Sequence, residues 1–253
     1  LFRFITFETD DASELLNQVK IGSATKRWQA AYELSKVLNN PKTIPTDLSF
    51  KGQMISSYKH SINDDPLVRA YLAIAMGATG DNFYANELIV GLNDESRESR
   101  LASIQAVGMV KAIDALPKLS KIVMKSDYQD ERLAATMSIG FIGSTSSIPI
   151  LVALLEDEEP NIRWDAAIGL AKMGEKSSAP IIENLMDREY LSSFPELDHK
   201  EVNKVLMIAI EASKMIQDKR FEPKLVILAE ADENLKIRDA AMKTLKKSYN
   251  RII

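Results

Sequence analysis

The sequence predicts an all-α protein, a curved right-handed α-solenoid of about seven helical hairpins. Three observations support this fold class. One position, usually arginine, recurs at intervals of 31 to 42 residues, an apolar stripe follows each occurrence, and turn-forming residues precede it. Because a single hairpin cannot cover its own apolar faces, the hairpins should stack and bury a continuous core.

The recurring position lies in the first turn of a predicted amphipathic helix. The seventh residue after each anchor is apolar in every unit, and the third and fourth are mostly small or aliphatic. Offsets of three, four and seven fall on one stripe of a helix, so this stripe should face the core. The anchors are Arg27, Arg69, Arg100, Arg132, Arg163, Asn203 and Arg238, followed seven positions later by Leu34, Met76, Val107, Ile139, Leu170, Ile210 and Leu245.

An apolar run before the anchor predicts the first helix of each hairpin. Clear examples are LPKLSKIVMK from 116, IPILVALLED from 148, APIIENLMD from 179 and PKLVILAEAD from 223. Acidic turn signals such as NDES and EDEEP separate the two helices. Pro66 and Pro160 stand at the start of a second helix, where a missing N–H is harmless.

Two segments lengthen the regular pattern. Residues 38–48 carry two prolines, and residues 187–200 extend the link before Asn203. Insertions in a solenoid fall on its edges, where they either hold contacts or form neutral loops. The last unit is basic on its outer positions, which is typical of a terminal capping repeat.

Residues 11–253 are predicted to form a single repeat domain, preceded by a lead-in at 1–10. The chain opens without methionine, and Leu1–Phe7 is either the end of a removed signal or anchor helix or a flexible lead-in. No run reaches the roughly 18 to 20 apolar residues of a membrane span. A membrane tether would therefore have to lie upstream of Leu1.

The composition is that of a folded protein, with 45% hydrophobic and 27% charged residues. A formal charge of −4 and a pI near 5.4 argue against nucleic acid as the main partner. The absence of cysteine excludes disulfides and thiolate chemistry and leaves cytoplasm and periplasm both open.

The pattern Asp-x-x-Pro-x-Ile-Arg-x-x-Ala-Ala-x-x-Leu-x-x-x-Gly at 157–174 resembles the HEAT repeat, especially the short bacterial form also found in phycobilisome-lyase proteins. This resemblance implies a scaffold or adaptor that binds other proteins, with its second helices lining a concave side. The stretch RWQAAYELSKVL is also similar to bacterial HEAT-repeat proteins with one N-terminal membrane helix, which implies a protein held at a membrane surface.

Acidic and basic residues six positions apart recur across the hairpin turns. Such carboxylate–guanidinium pairs suit anion binding, but their regular recurrence favours a ladder that ties turn to helix and repeat to repeat. The pairs are Asp94 with Arg100, Asp157 with Arg163, and Asp232 with Arg238.

An enzyme of the HEAT-like lyase, hydroxylase or DNA glycosylase type is the alternative. Trp28 and Trp164 occupy one repeat position and could stack on a base, but the acidic surroundings disfavour a DNA glycosylase. His60 and His199 lack the neighbouring acids of a metal motif. The sequence therefore predicts no catalytic residue, cofactor or metal site.

An apolar ridge should lie opposite the core stripe, at positions one, five and nine after the anchor. Either this ridge forms the floor of a groove that binds a helix or extended peptide of a protein partner, or neighbouring second helices bury it sideways. Gln105 and Lys172 are its polar members. The predicted partner-binding residues are Leu101, Met109, Leu133, Met137, Phe141, Trp164 and Ile168.

Overall fold

The computed structural model describes residues 11–251, so the predicted lead-in 1–10 and its anchor interpretation lie outside the described residues. Between residues 11 and 251 the chain forms fifteen α-helices, short 3-10 turns and no strand. The predicted all-α solenoid of helical hairpins is confirmed. Over the same range, no helix combines the length and apolar character needed to cross a bilayer.

Seven pairs of helices form the hairpins, with one additional short helix. The first helices are α1 (Ala12–Ile21), α3 (Leu48–His60), α5 (Ala85–Gly91), α7 (Leu116–Lys125), α9 (Ile148–Leu154), α11 (Ala179–Leu185) and α14 (Phe221–Ala231). The second helices are α2 (Ala24–Val37), α4 (Pro66–Ala78), α6 (Arg97–Met109), α8 (Gln129–Ile142), α10 (Pro160–Lys172), α13 (His199–Ile216) and α15 (Leu235–Ser248). The extra helix, α12 (Arg188–Ser192), lies in the long link before α13.

The recurring anchor position marks the beginning of every second helix. Each anchor stands in the first turn or at its end, as the sequence predicts. The apolar residue seven positions later has no exposed surface in any of the seven hairpins. The stripe identified in the sequence is therefore the core-facing stripe of the structure.

The hairpins fall into two compact units, one ending at Ile142 and one beginning at Gly143. In the first unit, α2, α4, α6 and α8 pack side by side in chain order. In the second unit, α10, α13 and α15 do the same. Each unit buries its own layer of apolar side chains between first and second helices.

Small residues let the second helices of the first unit approach closely. A Cβ atom at Gly108 would lie 2.8 Å from the Cα atom of Ser138, and one at Gly77 would lie 2.9 Å from that of Ala106. The Ser138 hydroxyl donates a hydrogen bond to the Ile104 carbonyl across the same contact. A larger side chain at Gly108 or Gly77 would force the helices apart.

Candidate protein-binding face

Five residues of the predicted ridge belong to the first unit, and three of them are well exposed. Met109 at the end of α6 is 38% exposed, and Met137 and Phe141 on α8 are 45% and 46% exposed. Leu101 and Leu133 are partly buried. The unit 1 ridge, which we define as Leu101, Met109, Leu133, Met137 and Phe141, thus carries three well exposed apolar side chains and two that are partly buried.

An ion pair joins the N-terminal ends of α6 and α8. Arg97 Nη2 lies 2.6 Å from Asp130 Oδ2, and the Arg97 guanidinium stacks 4.4 Å from the centroid of the Tyr128 ring. The hydrogen bond from Arg97 lowers the pKa of the Asp130 carboxyl. This end of the two helices is polar and aromatic, whereas Met109 and Phe141 lie at their C-terminal ends.

The second unit places Trp164 differently from the prediction. Trp164 is only 6% exposed, and its ring packs edge-on against Phe194 with the centroids 4.8 Å apart. Its Nε1 donates a hydrogen bond to the Tyr190 hydroxyl at 3.4 Å. Because Tyr190 and Phe194 belong to the insertion at 187–200, the insertion covers Trp164 and removes it from the ridge. The sequence interpretation of Trp164 as an exposed ridge residue is therefore corrected, while Ile168 stays partly exposed.

Beside Trp164, a cleft of about 310 Å³ lies between α10 and α13. We call it the α10–α13 cleft. Its apolar walls are Ile168, Leu197, Val205 and Ile208. One of its polar members is Asp165, and burial raises the pKa of this carboxyl to about 6, against the smaller lowering effect of Lys172.

The anchor arginines connect successive hairpins of the first unit. Arg69 Nε lies 2.9 Å from Asp94 Oδ2 of the next hairpin, and Arg27 pairs with Asp64 in the same way. Arg100 donates from Nε to Glu131 Oε1 at 2.9 Å, with its Nη2 at 2.7 Å from the same atom. The predicted tie between neighbouring repeats is present, with the arginine of one hairpin facing an acid of the next.

In two of the hairpin turns, the arginine donates to backbone carbonyls, whereas the sequence predicts pairs between its side chain and a carboxylate. Arg100 Nη1 donates to the Asp94 carbonyl at 2.7 Å, and Arg163 Nη1 donates to the Asp157 carbonyl at 2.6 Å. Asp94 uses Oδ1 to accept from the Ser96 backbone N–H at 3.0 Å. This bond closes the turn and directs Oδ2 towards the preceding hairpin.

Arg188 supplies a guanidinium beside Asn203, the one anchor position that is not occupied by arginine. Its Nε and Nη2 donate to the two carboxylate oxygens of Asp232 at 2.6 and 2.9 Å, and Nη2 also donates to Asn203 Oδ1 at 2.7 Å. The hydrogen bonds to Asp232 raise the pKa of Arg188. Arg188 belongs to the insertion, outside the repeat register, so the repeat pattern does not indicate its role. The available signal was an arginine fifteen residues before the one anchor that lacks a charge.

The two histidines take local roles. His60 Nδ1 lies 2.7 Å from the Ser56 carbonyl oxygen on its own helix, and His199 is the first residue of α13. Among the described residues, no three His, Asp or Glu side chains are grouped as a metal ion would require.

The comparisons with known proteins agree with this architecture. The family model described as HEAT repeats matches residues 60–139 and 116–192, which together make up more than half of the chain. No curated protein matches the sequence significantly.

Solved structures with a similar fold share little sequence with this chain. The complex of CpcE and CpcF of phycocyanin lyase from Nostoc sp. PCC7120 is similar with a TM-score of 0.63 and 17% identity, over 96% of this chain and 90% of that one. The YibA protein of Escherichia coli has a TM-score of 0.54 and 18% identity, over 93% and 92%. An engineered protein has a TM-score of 0.52 and 18% identity, over 79% and 95%. At these identities the likeness concerns the fold alone.

Proposed function

Because the chain belongs to the HEAT-repeat family, we propose that it is a non-enzymatic scaffold or adaptor that binds a protein partner through its second helices. Repeat folds of this kind host many functions, so the argument depends on the surface rather than on the fold. The observation that carries it is the exposure of Met109, Met137 and Phe141 on α6 and α8.

The unit 1 ridge has the composition of a binding surface. Methionine and phenylalanine are enriched at protein interfaces, and Met side chains adapt to irregular apolar partners. Met137 and Phe141 lie four residues apart on α8, so their side chains are neighbours on one face of the helix. An amphipathic helix or an extended peptide with apolar side chains suits such a face.

The polar surroundings support a specific contact. Arg97, Asp130 and Tyr128 lie at one end of the two helices, and the exposed Gln105 lies in the middle of α6. A polar rim around an apolar centre is the usual anatomy of a protein interface. The rim would fix the orientation of the partner, while the ridge would provide most of the affinity.

The test replaces Met137 and Phe141 with aspartate and measures capture of the partner from native cells by the tagged protein. Both side chains are nearly half exposed, so helical circular dichroism and the unfolding midpoint should change little. Partner capture should fall at least about tenfold, because two interface anchors are lost.

A matched control is Met124→Asp on first helix α7, where Met124 is 62% exposed. This variant should bind the partner as the unchanged protein does. If the double variant unfolds, Met137 and Phe141 belong to the core and the proposed face is wrong. Unchanged capture by a folded double variant would also refute the proposal.

A further inference from the structure

The α10–α13 cleft holds a carboxylate without a protein donor. Within residues 11–251, no side-chain or backbone group donates a hydrogen bond to Asp165, and the opposite charge that acts on it is that of Lys172, seven residues along the same helix. A partly buried carboxylate that accepts no hydrogen bond loses hydration without a hydrogen bond to replace it. Such a group in a concave site is a candidate for ligand binding.

The walls of the cleft are mainly apolar. Ile168 projects from α10, while Val205 and Ile208 project from α13. Trp164 closes one side and is held in place by the rings of Tyr190 and Phe194. The cleft therefore offers an apolar wall beside the Asp165 carboxylate.

The remaining polar groups of the cleft are engaged or exposed. Glu201 Oε2 accepts the backbone N–H of Asp198 in the capping box of α13, at 2.9 Å. Lys204 is exposed to solvent, and Asn161 Nδ2 donates to Glu159. The cleft lining thus carries two carboxylates and one ammonium, and the less exposed carboxylate is the one without a donor.

We propose that the α10–α13 cleft binds a cationic side chain of a partner protein, with its ammonium or guanidinium group at Asp165 and its aliphatic stem against Ile168, Val205 and Ile208. Lysine and arginine bury their methylene groups on apolar surfaces while the charged head finds a polar partner, which is the arrangement this cleft provides. The cation would donate the hydrogen bonds that Asp165 lacks. This inference rests on the proposed function, because the cation is taken to belong to a protein partner.

The experiment uses small probes, so that it does not depend on identifying the partner. The ¹⁵N-labelled protein is titrated at pH 7.5 with Nα-acetyl-lysine methylamide, Nα-acetyl-arginine methylamide and the neutral Nα-acetyl-norleucine methylamide. The amide chemical shifts of α10 and α13 should change until they saturate as a charged probe is added. The affinity for the norleucine probe should be at least about tenfold lower, because the charge-assisted hydrogen bond is missing. The stronger of the two charged probes identifies the head group.

Asp165→Asn keeps the side-chain shape and removes the charge, so it should lower the affinity for the charged probe by about tenfold. Asp239→Asn, an exposed aspartate of α15 paired with Lys243, is the matched control and should bind as the unchanged protein does. Probe binding should also lower the pKa of Asp165, followed by its carboxyl ¹³C shift, which a purely structural role would not produce.

Three results would overturn the proposal: equal binding of norleucine, unchanged binding by Asp165→Asn, or no saturable shift up to the solubility limit of the charged probes. Neither Met137 nor Phe141 lines this cleft. Partner capture can therefore fail while the probes bind, and the probes can fail while capture succeeds. The outcomes for the two proposals remain distinguishable.

Discussion

Replacing Arg188 with alanine should destabilise the second unit by far more than the loss of an exposed ion pair. The Asp232 side chain is only 1% exposed, and two of its hydrogen bonds come from Arg188, at 2.6 and 2.9 Å. After the substitution, Asp232 would keep the Asn234 backbone N–H at 2.8 Å. Asn203 would lose the donor that now lies 2.7 Å from its Oδ1.

The expected size of the effect follows from these contacts. Removing one partner of a buried ion pair costs about 3–5 kcal/mol, because a buried charge is left uncompensated. Asp232 retains one backbone donor, and the Arg188 side chain is about one quarter exposed, so water can enter in its place. We therefore expect the lower end of the range, about 3 kcal/mol.

The assay is urea unfolding followed by tryptophan fluorescence. The chain has two tryptophans, so a Trp28→Phe background leaves Trp164 as the reporter, and Trp164 lies in the core of the second unit. Arg220→Ala is the control, since Arg220 and Asp218 form an exposed pair that should contribute less than about 1 kcal/mol. A loss at Arg188 no larger than that at Arg220 would refute the argument that Arg188 compensates the buried Asp232.

Four further substitutions are tested by equilibrium unfolding. Arg163→Ala should lower the free energy of unfolding by about 1–3 kcal/mol, because it removes the donor to two turn carbonyls. An unchanged free energy of unfolding would contradict this role. Gly108→Ala should cost about 1–3 kcal/mol through its clash with Ser138, whereas Gly52→Ala, with open space around it in α3, should stabilise by about 0.5–1 kcal/mol. The effect of Asp165→Asn on the free energy of unfolding should depend on pH. The folded-state pKa of about 6 exceeds the unfolded value, so the destabilisation by the charged carboxylate is absent below about pH 4 and complete above about pH 7. The substitution should therefore stabilise by about 2 kcal/mol at pH 8, allowing for partial exposure, and have little effect at pH 4; equal effects at both would contradict the raised pKa.

The hairpin architecture is predictable from the sequence because it depends on local periodicity. An anchor such as Arg100 and the apolar Val107 seven positions later belong to one helix, and a helical stripe fixes which side is buried. The proline at the start of α10 and the acidic turn before it mark the boundary between helices. These signals lie within a few residues of one another, so tertiary contacts do not override them.

The contacts that the sequence does not predict join residues far apart in the chain. Trp164 occupies a ridge position by helical periodicity, yet Tyr190 and Phe194 of the insertion fold back and cover it. Arg188 reaches Asp232 across 44 residues from outside the repeat register. Burial of Asp165 likewise depends on the cleft that α13 completes, which no local pattern in α10 reveals.

Site-specific photo-cross-linking most directly tests the central claim that the second helices of the first unit contact a protein partner. A photoreactive phenylalanine analogue replaces Phe141 on α8 in one variant and Met124 on α7 in another, and both are irradiated in native cells. The proposed function predicts a discrete cross-linked protein from position 141 and none, or a much weaker one, from position 124. A discrete cross-link from position 124 alone would contradict it and place the partner on the first helices instead.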